Sequence, residues 1–488
     1  MLFNSHVFLF AFLPITLLGF FFFGGRDRPR AAGLWLIAAS LFFYGWWNPR
    51  CLALIVGSVL FNYQMGVWIA DAVRLGRPSR AHGMLALGVT TNLALLGYFK
   101  YAQFLVGVAG DVTGAHWRIG NIALPLAISF FTFTQIAYLV DARHGRTREY
   151  NLQHYALFVT FFPHLIAGPI VLYRSLMPQF AQRETYRFHA DNFLAGLTLF
   201  TCGLAKKVII ADGLSPVANV VFNHAALGAL PGAVGAWVGA VAYTLQLYFD
   251  FSGYSDMAIG LARMFNTRFP LNFDSPYKAR DIVDFWRRWH ITLSTFLRDH
   301  LYIPLGGNRY GVVRRYLNLF LTMLLGGLWH GAGWTFLVWG GLHGIYLCIN
   351  HLWLRIIGKR AWAQSPPARF VGWAITLFAV IIGWIVFRAA SLSTAWAILL
   401  GMAGRRGIGS PPDLKAEEAA LLVLAAAIAL FAPNTNELFA LGLPPKETAQ
   451  PRRRIWRYSS VGAVAIALLF FTSVLHLSRI SEFLYFQF

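Results

Sequence analysis

Apolar runs of about twenty residues, separated by short turns rich in arginine, glycine and proline, recur along the chain. With the window that a hydrocarbon core requires, the pattern predicts helical spans near residues 6–24, 31–49, 51–70, 82–104, 120–140, 154–172, 192–212, 232–264, 315–330, 333–354, 369–388, 416–432 and 460–478. A shorter run near 394–403 reads as a half-span. No lysine or arginine precedes the first run and no small-residue cleavage motif follows it, so it is expected to stay as a span rather than act as a cleaved signal.

The cations predict an orientation. Arg26, Arg28 and Arg30, then Arg74, Arg77 and Arg80, then Arg143, Arg146 and Arg148 occupy alternate turns, while the turns near Arg50 and Arg118 are poorer. Cytoplasmic loops carry the excess of lysine and arginine, so the N-terminus is expected to face away from the cytoplasm. The stretch 173–191 breaks the alternation: Arg174, Arg183 and Arg187 fall on the predicted outer side, partly offset by Glu184 and Asp191. Residues 404–415 (Arg405, Arg406, Pro411, Pro412) and 441–457 (Pro444, Pro445, Pro451, Arg452–Arg454) read as loops.

Composition narrows the class. Of 488 residues, 57% are apolar and only 12% charged. Soluble domains carry about 25% charged residues, so an all-α, polytopic membrane protein remains. The net charge of +21 would suggest nucleic acid in a soluble protein. Here the cations sit in short loops, where they set topology and meet anionic lipid, so no nucleic-acid partner is expected. Cys51, Cys202 and Cys348 lie far apart in apolar runs and are expected to be buried thiols.

Polar groups at membrane depth are paired or functional, and they concentrate between residues 244 and 343. Asp250 and Asp256 interrupt an apolar run. They read as partners for arginine, with a proton relay as the alternative. The segment 281–310 is too charged for a lipid-facing span and reads as an amphipathic or re-entrant helix. On it Asp284 and Arg288 have pairing distance, and His290, Ser294 and Leu297 share a face. Trp46, Trp47, Trp286 and Trp289 read as interface anchors. His330 closes an apolar run with glycines on both sides. An uncharged imidazole accepts a hydroxyl proton, as a general base must. A single histidine in a span more commonly closes an interhelical hydrogen bond, and His164 and His343 are read that way. The chain has no G-x-S-x-G elbow, no phosphate-binding P-loop, no H-E-x-x-H and no histidine spacing that specifies a metal.

Several long motifs carry a resemblance. Phe285 to Asp299 reads FWRRWHITLSTFLRD, Leu305 to Arg309 reads LGGNR, and Leu324 to Ala332 reads LLGGLWHGA. With Phe43–Trp47, Gly97–Tyr101, Leu124–Phe130, Phe162–Pro169 and Ala242–Asp256, they resemble the membrane-bound O-acyltransferase family, in its alginate O-acetylation branch. The likeness covers residues 1–400 as one membrane domain. Residues 401–488, C-terminal loops and transmembrane helices, resemble known motifs poorly. The resemblance implies a ring of helices around a central transmembrane tunnel. It places the two catalytic positions on His330 and His290, and it implies no bound cofactor and no metal. It implies acetyl-CoA as a cytoplasmic donor substrate, and periplasmic serine-dependent acetyltransferase partners that finish O-acetylation of an exopolysaccharide. Alginate, cellulose and peptidoglycan remain open as acceptors. A lipid-linked sugar transporter or an export-complex scaffold is the alternative from another class, although no internal repeat supports a transporter.

Overall fold

Proline opens the first turn of four apolar helices in the computed structural model, where its missing N–H would have no partner anyway. The structure describes residues 1–115, 117, 119–120, 122–147, 151–357, 360–409, 414–439, 459–478 and 483–484. Arg118, Arg148, Pro411, Pro412 and the loop 441–457 lie outside the described residues. All the regular elements among the described residues are helical, and the chain is a polytopic membrane protein. Five segments are long and apolar enough to cross a membrane: Phe8–Gly25, Arg50–Arg74, Pro78–Thr113, Ala190–Ala226 and Pro366–Arg388. Most of the other predicted spans are also helical, but shorter or more polar.

Two compact units divide the chain. The first comprises Met1–Thr201, Ser255–Pro270 and Leu477–Glu482. It contains α1 (Leu13–Gly25), α2 (Pro29–Gly45), α3 (Arg50–Arg74), α4 (Pro78–Leu96), α5 (Ala102–Thr113), α6 (Ile128–Arg143), α7 (Leu152–Thr160), α8 (Phe162–Leu165) and α9 (Tyr173–Phe180). Helices α3, α4 and α6 pack on one another. Among apolar surfaces, polar side chains hold them together. Asn62 and Asn92 exchange side-chain hydrogen bonds of 3.2 and 2.6 Å. Gln135 donates to Ser58 Oγ at 2.9 Å and accepts from the Tyr155 hydroxyl at 3.1 Å. Outward-facing Leu87, Leu93, Tyr98, Leu105 and Val112 present the apolar surface that lipid requires. Trp46 and Trp47 stay exposed just past α2.

Three expectations change here. The run 154–172 is not one span: Phe161 turns out of the helix (φ −52°, ψ 108°) and Pro163 restarts a four-residue helix. The run expected from residue 120 becomes helical only at Ile128. Arg174 and Arg183 do not stand apart from the other arginine-rich turns. Arg183 lies 3.5 Å from Asp27, in the turn after α1. Arg174 and Arg146 lie 3.8 and 3.6 Å from Asp141, in the last turn of α6.

Helices α10 (Ala190–Ala205) and α12 (Ala233–Met264) contribute residues to both units. The second unit, Cys202–Tyr254, Leu271–His476 and Phe483–Phe488, adds α11 (Asp212–Ala226), α13 (Ile282–Arg288), α14 (Ile291–Leu297), α15 (Gly311–His330) and α16 (Trp334–Ile356). It also holds α17 (Pro366–Arg388), α18 (Leu392–Met402), α19 (Ala416–Phe431), α20 (Thr435–Phe439) and α21 (Ser460–Leu475). Asp250 is buried, and its partner is Lys207 rather than an arginine (Nζ to Oδ1, 2.6 Å). The cysteines are half-buried, not sequestered, because each sits on a helix face that is partly exposed.

Candidate active site

Helices α15 and α16 form a hairpin with only Gly331–Gly333 between them. Their backbones nearly touch. A Cβ on Gly340 would sit 2.5 Å from the Met323 carbonyl oxygen, and one on Gly344 would sit 3.0 Å from Phe320 Cα. Small residues at these positions permit that approach, and the approach places His330, the last residue of α15, against the first turns of α16. The His330 ring packs edge-on to Trp339 at 5.1 Å and to Phe387 at 5.4 Å, with Trp329 at 5.0 Å. Its residue is 7% exposed.

His290 arrives from a different element. The segment 281–302 is not one continuous helix. It breaks into α13 and α14, each of seven residues, with Trp289 and His290 at the break. His290 sits in the left-handed region (φ 43°, ψ 53°) at the cap of α14. Few residues other than glycine adopt this conformation, which costs of order 1–3 kcal/mol and persists where surrounding contacts demand it. The expected common face of His290, Ser294 and Leu297 is therefore replaced by a cap, in which Ser294 N–H donates to the His290 carbonyl at 3.0 Å. The Asp284–Arg288 pair does form, with Nε to Oδ1 at 2.8 Å.

The His290 side chain is fully buried. Its ring stands perpendicular to Phe251 at 4.8 Å, and its Nδ1 lies 3.0 Å from Asn272 Oδ1. The Trp329 indole lies 6.4 Å from the His290 ring and 5.0 Å from that of His330. Both predicted imidazoles therefore lie near one indole, in an aromatic environment. His343 stands one ring further on: it contacts Trp339 at 4.9 Å and accepts a hydrogen bond from Trp286 Nε1 at 3.3 Å. This matches the structural role read for it. His164 belongs to the first unit, packed among Phe158, Phe161 and Phe269.

Sequence reasoning missed Asn272, Trp339 and Lys207 as parts of this unit. Lys207 was legible as a lone cation in an apolar run, and Asn272 as an amide between Leu271 and Phe273. Nothing local marks Trp339 among seventeen tryptophans.

Residues 142–361, which include both imidazoles, match the sequence model of the membrane-bound O-acyltransferase family, MBOAT. The chain is 41% identical to the probable alginate O-acetylase AlgI of Pseudomonas aeruginosa, with both chains covered over their full length. It is 43% identical to the peptidoglycan O-acetyltransferase of Helicobacter pylori, over 84% of this chain and 81% of that protein. The chain belongs to the membrane-bound O-acyltransferase family. It is thus an acyltransferase, of the AlgI-like branch. The chain is also 28% identical to the teichoic acid D-alanyltransferase of Bacillus subtilis, over 55% of this chain and 69% of that protein.

Proposed function

We propose that the protein moves an acetyl group from cytoplasmic acetyl-CoA across the bacterial inner membrane, for O-acetylation of an alginate-like exopolysaccharide. A serine-dependent periplasmic acetyltransferase completes the transfer. The observation that carries this reading is the pair of imidazoles, His290 and His330, both near the Trp329 indole and both within the segment that matches the family model. Full-length similarity to alginate O-acetylases supports alginate as the acceptor class. Peptidoglycan is the second reading, favoured by the 43% identity to the Helicobacter protein.

In the proposed reaction both imidazoles act at one thioester carbonyl. One takes the proton of the acceptor hydroxyl as its oxygen attacks the carbonyl carbon. The other positions the donor and stabilises the oxyanion. The carbon–sulfur bond then breaks and the leaving sulfur takes up a proton. His330 fits the base role and His290 the other, and the two roles exchange without changing the balance of atoms. The aromatic lining keeps water, the competing acceptor, from the thioester. Such a transfer requires the donor and the acceptor to reach the imidazoles from opposite faces of the membrane. The arginine-bearing turns support a periplasmic N-terminus. A protease-sensitive tag at residue 1 is expected to be cut in spheroplasts from outside, and protection there sinks this orientation.

The test of the activity is thiol release from acetyl-CoA by inside-out membrane vesicles that carry the protein and its periplasmic partner. Release coupled to acetylated polysaccharide is expected. A sugar transporter or an export scaffold predicts no release, and that result overturns the proposal.

A further inference from the structure

Three hydrogen bonds converge on one atom beside the candidate site. Asn272 Oδ1 faces His290 Nδ1 at 3.0 Å, Thr292 Oγ1 at 2.9 Å and the Thr292 backbone N–H at 3.3 Å. A backbone N–H only donates, so the Asn272 atom that it meets is the carbonyl oxygen and not the amide nitrogen. A carbonyl oxygen only accepts. The His290 nitrogen opposite it must therefore carry a hydrogen. A neutral imidazole has one N–H, so Nε2 holds a lone pair. The backbone ties the same two segments together independently, with Ile291 N–H donating to the Asn272 carbonyl at 3.0 Å.

We infer that Asn272 is a positioning residue that keeps the His290 proton on Nδ1, so that Nε2 of His290 is the proton acceptor of the pair. This rests on the proposed function, and it selects between the two ways of sharing the roles there. A lone pair has no hydrogen to give an oxyanion. His290 then takes the acceptor hydroxyl proton onto Nε2 and becomes imidazolium as the hydroxyl oxygen bonds to the carbonyl carbon. It returns that proton to the leaving sulfur. Oxyanion stabilisation falls to His330. The uncharged rings of Phe251, Phe273 and Trp329 face His290 from the other elements packed against it, with His330 following Trp329 in sequence.

The test is the pH dependence of thiol release from acetyl-CoA by vesicles carrying wild type, Asn272→Asp, Asn272→Ser or His290→Ala. The Asp side chain keeps the acceptor oxygen, but its charge favours imidazolium. A base is inactive when protonated, so the acid limb of the Asn272→Asp profile is expected to move up by about one pH unit or more. Movement of the alkaline limb instead means that His290 donates, and an unmoved profile means that Asn272 only braces the fold. Either result overturns the inference. If Asn272→Asp does not accumulate in the membrane, Asn272→Ser carries the test, because its hydroxyl either donates or accepts and no longer dictates the tautomer. A kcat loss of roughly tenfold or more with unchanged donor KM is then expected, and an unchanged kcat overturns the inference. Wild-type rates in His290→Ala would instead overturn the proposed function, separately from the part assigned to Asn272.

Discussion

His330→Ala is expected to lose acetyl transfer by about 10²–10⁴-fold, the usual loss when a group that handles the proton or stabilises the charge in the transition state is removed. The variant is expected to accumulate in the membrane at the wild-type level. The reason lies in the packing. His330 is the terminal residue of α15, and the α15–α16 hairpin is held by backbone contacts at Gly340 and Gly344 rather than by the imidazole. Truncating the ring opens space beside Trp329, Trp339 and Phe387 but leaves the hairpin intact. The measurement is acetyl content of the polysaccharide, with the variant and wild type matched by immunoblot of the membrane fraction. Near-normal acetylation at matched level refutes the assignment of His330.

Lys207→Met is expected to act on stability instead. Lys207 is 1% exposed and lies 2.6 Å from Asp250 Oδ1 and 2.8 Å from Asp212 Oδ1. Its charge also lies 4.8 Å from the Phe483 ring, and Asp250 Oδ2 accepts the Leu484 backbone N–H at 3.1 Å. One cation thus ties α11, α12 and a C-terminal segment together. Removing one partner of a buried ion pair leaves uncompensated charge and costs about 3–5 kcal/mol. Thermal unfolding of the purified protein in detergent is expected to shift to a markedly lower temperature. The Lys207→Met/Asp250→Asn double variant is expected to recover part of that loss, because the two residues interact directly. A melting temperature equal to wild type in Lys207→Met sinks this account of the triad.

The helices and their approximate bounds were legible from hydropathy. Membrane insertion responds to transfer free energy summed over about twenty neighbouring residues, which is a local property. The reading erred where a local sum hides a break. The run 154–172 is predominantly apolar, yet Phe161 and Pro163 divide it. Both candidate imidazoles were also legible, through long motifs around His290 and His330.

What the chain determined by itself is therefore its class, its helical order, its branch of the family and the two histidines on which the chemistry is proposed to rest. Only the tertiary structure decided that both rings lie near Trp329, that His290 is a strained cap rather than one face of a helix, and that Asn272 dictates which of its nitrogens holds the proton. Asp250 found Lys207 rather than an arginine in the same way. The physical reason is range. A span is chosen by the sum of its own residues, whereas a hydrogen bond or a ring contact requires two side chains from separate elements to meet within a few ångströms, and packing alone sets that meeting.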